Sequence, residues 1–60
     1  MGHIKLFEST EGDEYIQFIK SPDGNLWISI LNEDYEMKRF FIMGELDTKI
    51  LINDLEKIYK

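Results

Sequence analysis

The sequence predicts an α+β fold: a four-stranded antiparallel β-meander followed by one C-terminal α-helix packed on one face. Three observations predict it. Ser21-Pro22-Asp23-Gly24-Asn25 lies between two alternating apolar segments and reads as a hairpin turn. Two further polar connections, "STEGDE" (9–14) and "NEDYE" (32–36), separate additional segments rich in β-branched and aromatic residues. Beyond Gly44 the apolar residues change from alternation to the i, i+3, i+4 spacing of an amphipathic helix.

The first strand is expected in "HIKLFE" (3–8), with Ile4 and Leu6 on one face and Lys5 and Phe7 on the other. Strands over 15–20 and 25–31 follow. Between them Pro22 and Asp23 suit the central positions of a type I turn, and Gly24 can take the left-handed conformation that makes a bulge. That turn sets a register of Ser21 opposite Asn25 and Ile19 opposite Trp27. One face then collects Ile16, Phe18, Leu26, Ile28 and Ile30. The other collects Tyr15, Ile19, Trp27 and Leu31, with Gln17 opposite Ser29 in its middle.

The fourth strand is "KRFFIM" (38–43). A three-residue loop at Glu33–Tyr35 would place Phe40 and Ile42 with Ile28 and Leu26, and Phe41 beside Trp27; a loop one residue longer or shorter reverses every one of these. Asp47 or Thr48 can cap a helix running to about residue 59, with a stripe of Leu51, Leu55 and Ile58 flanked by Ile52 and Tyr59. A competing reading makes "KILI" a short fifth strand, with Asn53 capping a shorter helix and Glu56 closing a capping box.

Length and composition bound the function. The chain has 60 residues, enough for one small domain over 1–60. A chain this short buries only about 60% of its unfolded surface, and such folds usually add a disulfide, a metal or a partner. There is no cysteine and one histidine, so no metal site and no cofactor are expected, and self-association is the remaining staple. A formal charge of −5 disfavours nucleic acid and anionic membrane surfaces as partners. The longest purely apolar stretch is "FFIM", far short of the roughly 18 residues of a spanning helix. The N-terminus lacks a signal-peptide core, and Leu6 does not fit a myristoylation signal after Met1-Gly2. The expected location is therefore cytoplasmic.

Catalysis is not expected. His3 stands apart as an inert residue near the terminus, and Ser9, Ser21 and Ser29 fall in a loop, a turn and a strand, none of them a nucleophile context. Gly2, Gly12, Gly24 and Gly44 are isolated rather than gathered in a phosphate loop. No catalytic residue is assigned.

Two binding surfaces are. In an up-and-down meander alternate connections share one end, so Glu8, Glu11, Asp13, Glu14, Glu33, Asp34 and Glu36 should crowd there, seven of the 12 acids. Such an end steers a basic partner, for instance the nucleic-acid groove of another protein, its carboxylates standing in for phosphates. The second surface is the face of Tyr15, Ile19, Trp27, Leu31 and Phe41, which a lone helix on the opposite side leaves bare; Phe7, Met37 or Met43 could extend it. Trp, Tyr and Met are enriched at interface cores, and the cheapest partner is a second copy. In architecture alone, four strands, a helix and an aromatic sheet resemble the single-stranded-DNA-binding coactivator fold. That resemblance implies a competing function, a single-stranded nucleic-acid-binding module stacking bases on the aromatic face. The bases Lys5, Lys20, Lys38 and Arg39 are few and offset by acids. The leading expectation is a non-catalytic small acidic protein, homodimeric, acting by protein binding as an inhibitor or nucleic-acid mimic. The Ile-, Lys-, Glu- and Asn-rich, alanine-free usage suggests a phage or bacterial source.

Overall fold

Alternation and turn chemistry place the strands in the computed structural model, which describes residues 2–59. They are β1 (Ile4–Glu11), β2 (Glu14–Lys20), β3 (Leu26–Leu31) and β4 (Met37–Met43), and helix α1 covers Glu45–Tyr59. The sheet is an antiparallel meander in the order β1-β2-β3-β4. The α+β meander with a C-terminal helix is thus the observed architecture, and residues 49–52 belong to the helix rather than to a fifth strand.

The β2–β3 turn behaves as its residues require. The Ser21 amide donates to the Asn25 carbonyl at 3.0 Å, and the Gly24 amide donates to the Ser21 carbonyl at 3.1 Å. Gly24 has φ +92°, a region glycine enters without steric cost. The resulting register pairs Ile19 with Trp27 and Gln17 with Ser29, as expected. The β3–β4 turn repeats this geometry. The Asn32 amide donates to the Glu36 carbonyl at 2.8 Å and the Tyr35 amide to the Asn32 carbonyl at 2.9 Å. Tyr35, with φ +66°, takes the position held by Gly24 in the first turn. The Asn32 side chain helps by accepting the Asp34 and Glu36 amides, each at 2.9 Å.

The three-residue loop at Glu33–Tyr35 is therefore present, yet the strand that follows it presents the opposite faces. The register shifts between Ile30 and Leu31, so Leu31 pairs with Met37 but Ile30 pairs with Arg39, and Lys38 is the extra residue of a β-bulge. Beyond the bulge Phe41 opposes Ile28, and Ile42 opposes Trp27. Phe41, expected beside Trp27, lies on the other face, and Phe40 takes its place. A second bulge in β1, between Lys5 and Phe7, leaves Leu6 unpaired and sets Phe7 opposite Phe18. Their rings meet edge to face at 5.9 Å. Both departures from alternation sit in edge strands, where one side of the ladder is free to kink.

The first connection is shorter than the six residues "STEGDE". β1 continues to Glu11, which pairs with Glu14 across the two-residue turn Gly12-Asp13. Gly12, at φ +61°, fills the first central position, which demands a positive φ in a type II′ turn. The helix also begins earlier than Asp47. Thr48 caps nothing: its amide and its hydroxyl both donate to the Gly44 carbonyl, at 2.9 and 2.8 Å. Glu45 and Leu46 have good helix propensity and carry the first turn back to Gly44, leaving Glu45 and Asp47 at the positive end of the helix dipole.

The helix lies over one end of the sheet. Glu45 sits against the β2–β3 turn, its carboxyl carbon 3.1 Å from where a Cβ on Gly24 would be. From there α1 passes toward β1, and a cleft of about 340 Å³ separates it from the sheet. Leu6, Phe7, Phe18 and Leu26 form the sheet wall, and Thr48, Leu51, Ile52 and Leu55 the helix wall. No helix side chain is buried. Among the described residues the buried apolar side chains are Leu26 and Leu31, with Ser21 and Ser29 buried beside them.

Candidate binding surfaces

The acidic end is assembled by topology, because the β1–β2 and β3–β4 turns both lie at that end of the meander. Its seven carboxylates divide into two groups. Glu8, Glu14 and Glu36 are engaged within the chain. Glu8 accepts from Lys5 Nζ at 2.7 Å and from the Tyr35 hydroxyl, whose oxygen also lies 3.3 Å from Gln17 Nε2. Glu14 pairs with Lys38, and Glu36 accepts the Asn32 side-chain amide at 3.0 Å. Glu11, Asp13, Glu33 and Asp34 are exposed and make no ion pair among the described residues. Glu11 and Glu14 stand directly opposite across the hairpin, a like-charge pair that the Lys38 ammonium offsets.

Tyr35 is the residue that sequence reasoning passed over. Its turn conformation lays the ring back over the sheet, edge to face with Tyr15 at 4.7 Å, and its hydroxyl reaches β1. The contacts shift the proton affinities of all three polar partners. Lys5 chiefly, and then the Tyr35 hydroxyl, hold the Glu8 carboxyl below its ordinary value of 4.5. The Glu8 carboxylate in turn raises Tyr35 above 10.0 and Lys5 above 10.5. An aromatic residue inside the otherwise polar "NEDYE" was the available signal.

The Trp27 face carries ring contacts that alternation does not imply. Phe40 meets Trp27 edge to face at 5.2 Å, and the His3 ring lies 4.1 Å from the indole. His3, expected to be inert, is thus a packing residue on this face. Tyr15, Ile19 and Trp27 are half-buried, Leu31 is buried and Ser29 is 2% exposed. Of the five residues assigned to an aromatic interface, four share this face; Phe41 does not.

The opposite, helix-bearing face is about as open as the Trp27 face, where Phe40 is 42% exposed, Met37 56% and Ile42 57%. Phe7 is 56% exposed and Phe41 49%, and Ile16, Ile28 and Ile30 are only half-buried. α1 stands across the cleft from Leu6, Phe7, Phe18 and Leu26, and Ile16, Ile28, Ile30 and Phe41 lie outside that cleft. Neither face is closed: the bulges at Leu6 and Lys38 put Phe7 and Phe41 on the helix side, while Phe40 and Tyr35 lie over the other.

Among the described residues no three His, Cys, Asp or Glu side chains converge as metal ligands, and no helix is long and apolar enough to cross a membrane. No protein-family model matches the chain, nor does any curated protein or solved structure.

Proposed function

We propose that this chain acts without catalysis, as a small acidic homodimeric protein that binds another protein through its acidic end. The observation that carries this reading is the division of charge at that end. Lys5 and Lys38 are consumed by Glu8 and Glu14, while Glu11 at the end of β1, Asp13 in the turn after it, and Glu33 and Asp34 in the β3–β4 turn are exposed and make no ion pair among the described residues. Fixed, solvent-facing carboxylates of one sign attract a basic partner and raise its rate of encounter. A groove that normally holds phosphates is the natural complement, so inhibition by nucleic-acid mimicry in a bacterial or phage cytoplasm is the specific form proposed.

Affinity capture from a bacterial lysate with the wild type and with a quadruple E11K/D13K/E33K/D34K variant tests this. The wild type should retain a basic partner that the variant loses, with circular dichroism unchanged. Equal capture by both would overturn the acidic-end reading. Micromolar binding of single-stranded DNA that weakens steeply with salt would replace it with a nucleic-acid-binding function.

A further inference from the structure

The accessible surface of the chain is 4841 Å². A folded monomer of 7.2 kDa is expected to expose about 4,100 Å². The surplus, roughly 700 Å², is close to the ~800 Å² that each partner buries in an interface of standard size. Part of it lies on the Trp27 face, at Met37, Phe40 and Ile42; more of the exposed large apolar side chains stand on the helix-bearing side, Phe7 and Phe41 on the sheet and Ile52, Leu55 and Ile58 on α1. The helix has 15 residues and is therefore ~22 Å long, whereas four strands span only about 14 Å across. The helix residues that line the cleft end at Leu55, and Ile58 in the last turn is 74% exposed.

From this we infer that a second copy of the chain covers this face. The last turn of α1, with Ile58, packs on the half-open Ile28–Phe41 area of the partner, and the two-fold repeats the contact. Charge agrees with it. Lys20 and Arg39 share the sheet face by register with Leu26 and Ile30 and have no acidic partner among the described residues, while Asp54 and Glu56 stand on the helix. The inference deepens the homodimer part of the proposed function and places the interface opposite Trp27. Its test uses purified protein alone, so it fails or stands independently of partner capture at the acidic end.

Light scattering at about 100 µM, a concentration well above the dissociation constant of most standard-size interfaces, should return twice the 7.2 kDa chain mass. A monomer overturns the inference. Ile58→Asp should weaken dimerisation by at least about tenfold, as loss of an interface anchor does, whereas Ile42→Asp on the Trp27 face should not; the reverse pattern overturns it. If Ile58→Asp unfolds, the wild type decides the matter: its melting midpoint must rise with protein concentration, and a constant midpoint counts against a dimer. Because the chain lacks cysteine, Ile58→Cys and Phe41→Cys preparations can be mixed and oxidised. A mixed disulfide is expected, and none when Ile42→Cys replaces Phe41→Cys. Equal cross-linking to position 42 would also overturn the assignment.

Discussion

The Tyr35 hydroxyl donates to the Glu8 carboxylate, joining the β3–β4 turn to the first strand across β2, whose Tyr15 and Gln17 lie against the same phenol. The contact joins residues 27 positions apart, and it ties an edge strand to the turn farthest from it in the sheet. Tyr35→Phe keeps the ring and removes the hydroxyl. It should lower the thermal midpoint by a few degrees, since a polar tie in solvent is worth little more than a single hydrogen bond. Calorimetry checks this, and an unchanged midpoint would show that the ring alone holds the turn.

The same contact makes stability depend on pH in a set direction. Glu8 is lowered from 4.5, mainly by Lys5 and then by Tyr35. A carboxyl lowered on folding stabilises above its unfolded value, and that contribution is lost as pH falls through the folded value. Tyr35 and Lys5 are raised from 10.0 and 10.5, so their share is present below those values and disappears as pH climbs past the folded ones. Melting midpoints should therefore form a plateau between about pH 5 and 10. Glu8→Gln should flatten part of the acid limb; Asp23, whose carboxyl is also lowered, first by the Ser21 hydroxyl and then by the Asn25 amide, keeps the remainder.

Register can be checked through the only tryptophan. Phe40 lies edge to face on Trp27, and Phe41 points from the other side of the sheet. Phe40→Leu should change the near-ultraviolet circular dichroism and emission of Trp27, and Phe41→Leu should leave both as they are. Had Lys38 not been bulged, the two effects would be exchanged.

Gly24→Ala should cost about 1–2 kcal/mol, because it places a Cβ at a positive φ and within 3.1 Å of the Glu45 carboxyl. Adding Glu45→Ala should recover only the steric part, leaving the backbone strain. Urea titration of the single and double variants separates the two.

Leu26 is 7% exposed and Leu46 73%. Leu26→Ala should cost about 2–4 kcal/mol, the range for emptying a core site, and Leu46→Ala almost nothing. With so little else buried, the first substitution should leave a largely unfolded chain at 37 °C.

The parts legible in the residues were those set by local chemistry. Pro22-Asp23-Gly24 specified its turn, the turn specified the Ile19–Trp27 pairing, and the spacing of Leu51, Leu55 and Ile58 specified the helix. The bulges were not legible. Nothing in "KLF" or "MKR" marks Leu6 or Lys38 as the residue to be left out of the ladder, since either strand could pair without interruption. That choice is made by packing across the sheet, and it decided which face Phe7 and Phe41 occupy. The acidic end was legible as a set of seven carboxylates, but its division into engaged and free members depended on Tyr35 and Lys38 reaching over neighbouring strands.

The two bulges bear on how this protein stays out of fibres. An open sheet offers two outer ladders to any passing strand, and long straight edges invite growth by strand addition. Here β1 is interrupted at Leu6 beside Lys5, and β4 at Lys38 beside Arg39. Each outer strand is thus kinked and marked by a cation. Copies of this chain meet no continuous template along the hydrogen-bonding direction, so concentrated protein should remain free of cross-β assemblies even though much of its apolar surface lies open.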